Sequence, residues 1–150
     1  MLLLSYILFS STAAAGDYEK VWHWQSNRPP KIVICNDAKT ERSTVEKSVR
    51  FWKSQGYRFG DIKINTSECN GSWSYNTVLI RGEGNLDTSI WNAYTTPWQN
   101  TKTGKLLSVV IQFEDELANI DDLVNHELGH ALGFGHSSDY NNVMYCERSY

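Results

Sequence analysis

Four histidines occur in the 150-residue chain, and three fall in the stretch His126-Glu127-Leu128-Gly129-His130-Ala131-Leu132-Gly133-Phe134-Gly135-His136. The stretch follows H-E-x-x-H-x-x-G-x-x-H at every fixed position. On an α-helix, residues four apart lie on one face a turn from each other, so His126 and His130 can aim imidazole nitrogens at a single ion. Glu127 then projects beside that ion. Gly133 can end the helix in a left-handed conformation that a Cβ would resist, and the turned chain brings in His136 as a third ligand. Three protein ligands leave one position of a tetrahedral zinc open for water, which is the arrangement of a catalytic site and not of a structural one.

Zinc lowers the pKa of a bound water towards about 7 and polarises a carbonyl oxygen. A neighbouring carboxylate can take the proton, aim the nucleophile and later return the proton to a leaving amine, and Glu127 fits that role. Three neutral imidazoles leave the full dipositive charge on the metal, which favours Lewis acidity over tight structural binding. Hydrolysis is the expected chemistry. An isolated H-E-x-x-H is a weak signal, because its histidines are often surface or satisfied core residues. The added Gly and the third His at set offsets turn the balance towards a zinc site.

These residues need a scaffold, and the length suits one domain with a normal core. The sequence shows no internal repeat or low-complexity run. The formal net charge of −3, with both signs scattered, does not point to nucleic acid or an anionic membrane as partner. Aromatic residues make up 13%, with six Trp, and are expected mainly in the core. Met1 to Phe9 is apolar but too short to span a bilayer. Ala13-Ala14-Ala15 offers small residues for cleavage before Gly16, so residues 1–15 read as a signal peptide. Residues 16–30 read as an extended lead-in ending in Arg28-Pro29-Pro30, and residues 31–150 as the catalytic domain. Within it, Lys31 to Asn36 is a β-rich run. A helix follows, capped by Thr40 or Ser43, with apolar residues Val45, Val49, Phe51 and Trp52 and an end at Gly56. Strands are expected at Asp61 to Asn65, Thr77 to Arg81, Ile90 to Trp98 and Leu106 to Phe113, with a turn at Asn100 to Gly104. Asp121 or Asp122 starts the motif helix.

The histidine motif followed by Asn142-Val143-Met144-Tyr145 resembles the metzincin metallopeptidases. His136-Ser137-Ser138-Asp139 leading to Val143-Met144-Tyr145 is similar to their matrixin branch, which contains the matrix metalloproteinases. The resemblance implies His126, His130 and His136 as zinc ligands, Glu127 as general base, and Met144 as an apolar floor that acts by packing rather than ligation. It implies an α+β fold: a twisted, mostly parallel sheet with an antiparallel edge strand, two main helices and a very short C-terminal subdomain. In that family the strand before the last central strand lies at the sheet edge over the cleft and pairs with an extended peptide. Ile90 to Trp98 is in that place, which makes Ile90, Asn92, Ala93 and Tyr94 candidate substrate-binding residues; a plain edge strand is the alternative, and the motif favours the substrate role.

Three cysteines suggest one disulfide and one leftover thiol in a secreted chain. Strands joined through a crossover helix should be parallel, which puts Cys35 and Cys69 at the same end of the sheet; they are the expected pair, with Cys146 free or bonded to another chain. Asn65-Thr66-Ser67 and Asn70-Gly71-Ser72 are glycosylation sequons. Against the matrixin pattern, the lead-in holds no Cys to keep a zinc latent. The segment that walls the pocket in relatives is reduced to Tyr145, Cys146, Glu147 and Arg148. The family's second zinc has no ligand set, since His23 is the only other histidine. Calcium is possible through the oxygens of Asp87, Glu114, Asp115 and Glu116. The expected protein is thus a secreted, monomeric zinc endopeptidase acting on a peptide or protein substrate. Two alternatives share these residues: a zinc-binding interaction module with little turnover, for which Glu127 would have no use, and a zinc peptidase acting on cell-wall or small peptides.

Overall fold

The computed structural model describes residues 18–146. The expected signal peptide, and the Glu147 and Arg148 assigned to the pocket wall, lie outside the described residues. Three β-branched runs form the centre of one sheet: β1 (Lys31–Ile34), β3 (Thr77–Arg81) and β5 (Leu106–Phe113). Val33, Val78, Leu79, Ile80, Val109 and Ile111 have no accessible surface, the pattern of parallel strands covered on both faces. The short β2 (Ile62–Ile64) lies at one edge and β4 (Ala93–Gln99) at the other. The order is β2-β1-β3-β5-β4, with every pairing parallel except β4 against β5. This is the mostly parallel sheet with an antiparallel edge that was expected.

Both long helices pack on one face. Helix α1 (Arg42–Ser54) buries Thr44, Val45, Ser48 and Trp52 at helical spacing. Helix α2 (Asp121–Ala131) buries Leu123, Val124, Leu128 and Ala131, and the Trp52 indole donates to the Asn125 carbonyl at 2.9 Å. Alternate sheet residues Ile32, Ile34, Val78, Ile80, Val109 and Ile111 meet these helices in the main core. Val33, Leu79 and Val110 point to the opposite face, where Cys69 packs against them. The Cys35–Cys69 disulfide pins a 3-10 turn, Ser67–Asn70, to the end of β1. Cys146 is free and exposed.

Three expectations need correction. The first helix is capped neither by Thr40 nor by Ser43. Its N-cap is Glu41, whose N–H donates to the Asn119 side-chain oxygen at 2.7 Å, so the cap comes from the segment before α2 and left no local signature. The edge strand begins at Ala93 instead of Ile90. Asp87 closes a turn in which its carbonyl accepts from the N–H groups of Ile90 and Trp91, and its carboxylate from that of Ser89. Ile90 and Asn92 therefore precede the strand. The tryptophans are also divided: Trp52 is in the core, whereas Trp73, Trp91 and Trp98 are exposed. Among the described residues no helix is long and apolar enough to cross a membrane.

Candidate metal centre and cleft

Helix α2 places His126, Glu127 and His130 on one face, and the acidic Asp121 and Asp122 in its first turn suit the positive end of its dipole. The helix ends at Ala131 with Leu132 as its C-cap, and Gly133 follows at φ +100°, the left-handed region. A Cβ there would lie 2.2 Å from the Trp22 carbonyl oxygen. The lead-in segment is the reason for that closeness: the N–H groups of Val21 and Trp22 both donate to the Gly133 carbonyl, and that of Gly135 to Glu19. The Trp24 indole donates to the Ala131 carbonyl at 2.8 Å. The residues read as a plain extended lead-in therefore strap the turn that delivers His136.

Two of the imidazoles are oriented from behind. His126 Nδ1 lies 2.8 Å from the Val143 carbonyl, and His130 Nδ1 lies 2.8 Å from the Phe134 carbonyl. A carbonyl can only accept, so each Nδ1 carries the proton and each Nε2 keeps a free lone pair. The Nε2 atoms of His126 and His136 each lie 3.1 Å from that of His130. Tetrahedral coordination at zinc–nitrogen distances of about 2.0–2.1 Å puts donors about 3.3 Å apart, close to these separations. Three ring nitrogens converging at these separations could hold one cation between them, and the set fits zinc.

The electrostatics agree with a neutral donor set. Desolvation, reinforced by the neighbouring His126, pushes His130 down to about 4, so it is uncharged at neutral pH. Burial pushes the Glu127 carboxyl up to about 7, against the opposing effect of the Thr95 hydroxyl, which donates to Glu127 Oε2 at 2.5 Å. A carboxyl near neutrality can both take and return a proton.

Met144 lies beneath the helix, essentially inaccessible. Its N–H donates to the Asn142 side chain at 2.8 Å and its carbonyl accepts from Ser137 at 2.8 Å, which closes the loop after His136. The loop approaches α2 at Gly129, where a Cβ would stand 2.2 Å from the Met144 sulfur and 2.7 Å from a ring carbon of Trp52. The Met144 floor and the Val143 carbonyl behind His126 thus belong to one tightly seated turn.

A cleft of about 520 Å³ opens over the histidines and Glu127. Ile90, Asn92, Ala93 and Tyr94 line it from the edge side and Tyr145 from the other, so the predicted substrate residues do come together, although two of them lie ahead of the strand. Four lining residues escaped the sequence reading: Trp22, Trp91, Leu123 and Thr95. Leu123 had a visible signal, since it lies three positions before His126 on the same helical face. Thr95 had only strand alternation, and Trp22 had none.

The free edge of β4 has a readable pattern. The Glu114 N–H donates to the Asn92 carbonyl, and β4 continues that register against β5 with Tyr94 opposite Gln112 and Thr96 opposite Val110. Antiparallel residues alternate in the direction their backbone groups point. Ala93, Thr95 and Pro97 consequently present their backbone to the open side. Pro97 agrees independently, because a proline in a strand is tolerated where no ladder donor is needed.

In comparison with known proteins, a family model described as matrixin matches residues 17–150. No curated protein matches the chain. Among solved structures, metalloproteinase-II from Bacteroides fragilis is similar at 15% identity with a TM-score of 0.45. The match covers 89% of this chain and 53% of that one, so this chain spans about half the length of that relative.

Proposed function

The chain belongs to the matrixin family, and from that premise we propose that it is a secreted zinc-dependent endopeptidase. His126, His130 and His136 would hold the metal and Glu127 would act as the general base. When bound, the zinc supplies a Lewis acid for the substrate carbonyl and lowers the pKa of a water towards about 7. The protein does the rest. The Val143 and Phe134 carbonyls fix two imidazoles in the metal-binding tautomer. Glu127 takes a proton on its carboxylate and passes it to the leaving amine. Ala93 and Thr95 offer an N–H and a C=O each to an extended peptide adding to the free edge of β4, while Pro97 offers a C=O alone. Tyr145 closes the opposite wall.

The observation that carries this reading is the convergence of three imidazole donors and a nearly buried glutamate in one cleft beside an unpaired strand edge. Secretion is supported by the apolar Met1 to Phe9 stretch and by the Cys35–Cys69 disulfide, which persists in an oxidising compartment. The test is a peptide-library cleavage assay on purified protein. It should bind about one zinc per chain, with cleavage lost on chelation and regained on reloading. Cleavage that survives complete zinc removal would overturn the reading.

A further inference from the structure

Thr95 stands where the strand edge and Glu127 meet. Its backbone N–H and C=O belong to the outward-facing set of β4, on the side an added peptide would occupy. Its side chain is engaged elsewhere, since Oγ1 donates to Glu127 Oε2 at 2.5 Å. No other hydrogen bond to the Glu127 carboxylate is made by a side chain of the described residues. The carboxylate is nearly buried, at 6% exposure, and desolvated anions depend heavily on such partners.

We propose that Thr95 is a positioning residue for Glu127, tying the carboxylate to the substrate-pairing strand so that the peptide and the proton acceptor are placed by one residue. The proposal rests on the peptidase reading above. With one oxygen held by Thr95, rotation of the carboxylate about its last torsion is restricted, and the other oxygen is left to the cleft. Because β4 and α2 are separate elements, this bond couples the Glu127 carboxylate directly to the strand edge. Ser can keep the hydroxyl; Val matches the shape of Thr and removes it.

The test compares Thr95→Val, Thr95→Ser, Glu127→Gln and the Thr95→Val/Glu127→Gln pair. Thr95→Val should retain about one zinc and a KM within about twofold of wild type while kcat falls by roughly ten- to a hundredfold, the scale of a lost hydrogen bond to a charged group. Thr95→Ser should recover most of that loss, and Thr95→Val should change nothing further in the Glu127→Gln background. Thermal unfolding of the zinc-free proteins gives a reading independent of turnover, with Glu127→Ala as the variant that removes the acceptor: the Tm changes of Thr95→Val and Glu127→Ala should not be additive in the double variant. Thr95→Ala carries the same expectations should the Val protein fold poorly. A Thr95→Val enzyme with wild-type kcat, a Ser variant as impaired as the Val variant, or fully additive Tm changes would overturn the proposal. Wild-type protein that binds zinc and cleaves no peptide would instead refute the peptidase reading, and the Tm cycle would still decide the role of Thr95.

Discussion

Gly129→Ala is a small change in the wrong place. On a solvent-facing helix surface it would stabilise by up to about 1 kcal/mol, because Ala is the better helix former. Here the new Cβ would lie 2.2 Å from the Met144 sulfur and 2.7 Å from Trp52 Cζ2, where carbon contacts settle at roughly 3.5–4.0 Å. Trp52 cannot give way easily: it is inaccessible, donates to Asn125, and stacks on Phe134 at 5.4 Å. Met144 must yield instead, and its neighbour Val143 carries the carbonyl that orients His126. Overpacking of this kind costs about 1–3 kcal/mol, which offsets the propensity gain of about 1 kcal/mol and leaves a net loss of up to about 2 kcal/mol. Disturbing a group that orients a metal ligand should also weaken zinc binding about tenfold or more. Urea unfolding of the zinc-free protein measures the first effect and competition against a chromophoric chelator the second. Met144→Ala should partly relieve the clash, so the double variant should lose less stability than the sum of the singles. A Gly129→Ala protein that is more stable than wild type and binds zinc unchanged would refute the tight seating of the Met144 turn.

Two further outcomes are expected. Ala93→Pro removes a backbone donor that faces the open side of β4, not β5, so the protein should fold and hold zinc while kcat/KM falls at least severalfold; unchanged cleavage would place the peptide elsewhere. The Lys31 ammonium, hydrogen-bonded to Glu68, holds that carboxyl well below the usual range, to about 2. Since the folded pKa is the lower one, the contribution is present at neutral pH and fades as pH falls from about 5 to 2. Its partly exposed setting limits it to about 1 kcal/mol, and Glu68→Gln should flatten that part of the pH–stability curve. A Gln variant with the same acid sensitivity as wild type would contradict this.

The zinc motif was legible because its chemistry is written locally. His126, Glu127 and His130 need only helical spacing, and Gly133 needs only a backbone that a Cβ forbids to turn the chain towards His136, so five positions in one segment specify the site. The central strands were legible for a similar reason, since runs such as Lys31–Ile34 and Leu106–Phe113 are apolar on both faces. What escaped was made by contacts distant in sequence. The cap of α1 comes from Asn119, 78 residues away from Glu41. The strap across Gly133 comes from Val21 and Trp22, whose polar and aromatic surroundings read as a linker. The start of β4 was misplaced because the apolar Ile90 and Trp91 continue the strand pattern, while the side chain of Asp87 closes a turn that ends it. Thr95 looked like any strand threonine until the fold set Glu127 beside it.

The central claim is that the three histidines hold the metal while Glu127 holds only a proton. One measurement separates those roles: zinc content and peptide turnover determined together for wild type, Glu127→Gln and His130→Ala. Glu127→Gln should keep about one zinc per chain and lose at least roughly a hundredfold in kcat, whereas His130→Ala should lose the metal and the activity together. A Glu127→Gln protein that cleaves as fast as wild type, or that gives up its zinc as His130→Ala does, would contradict the account.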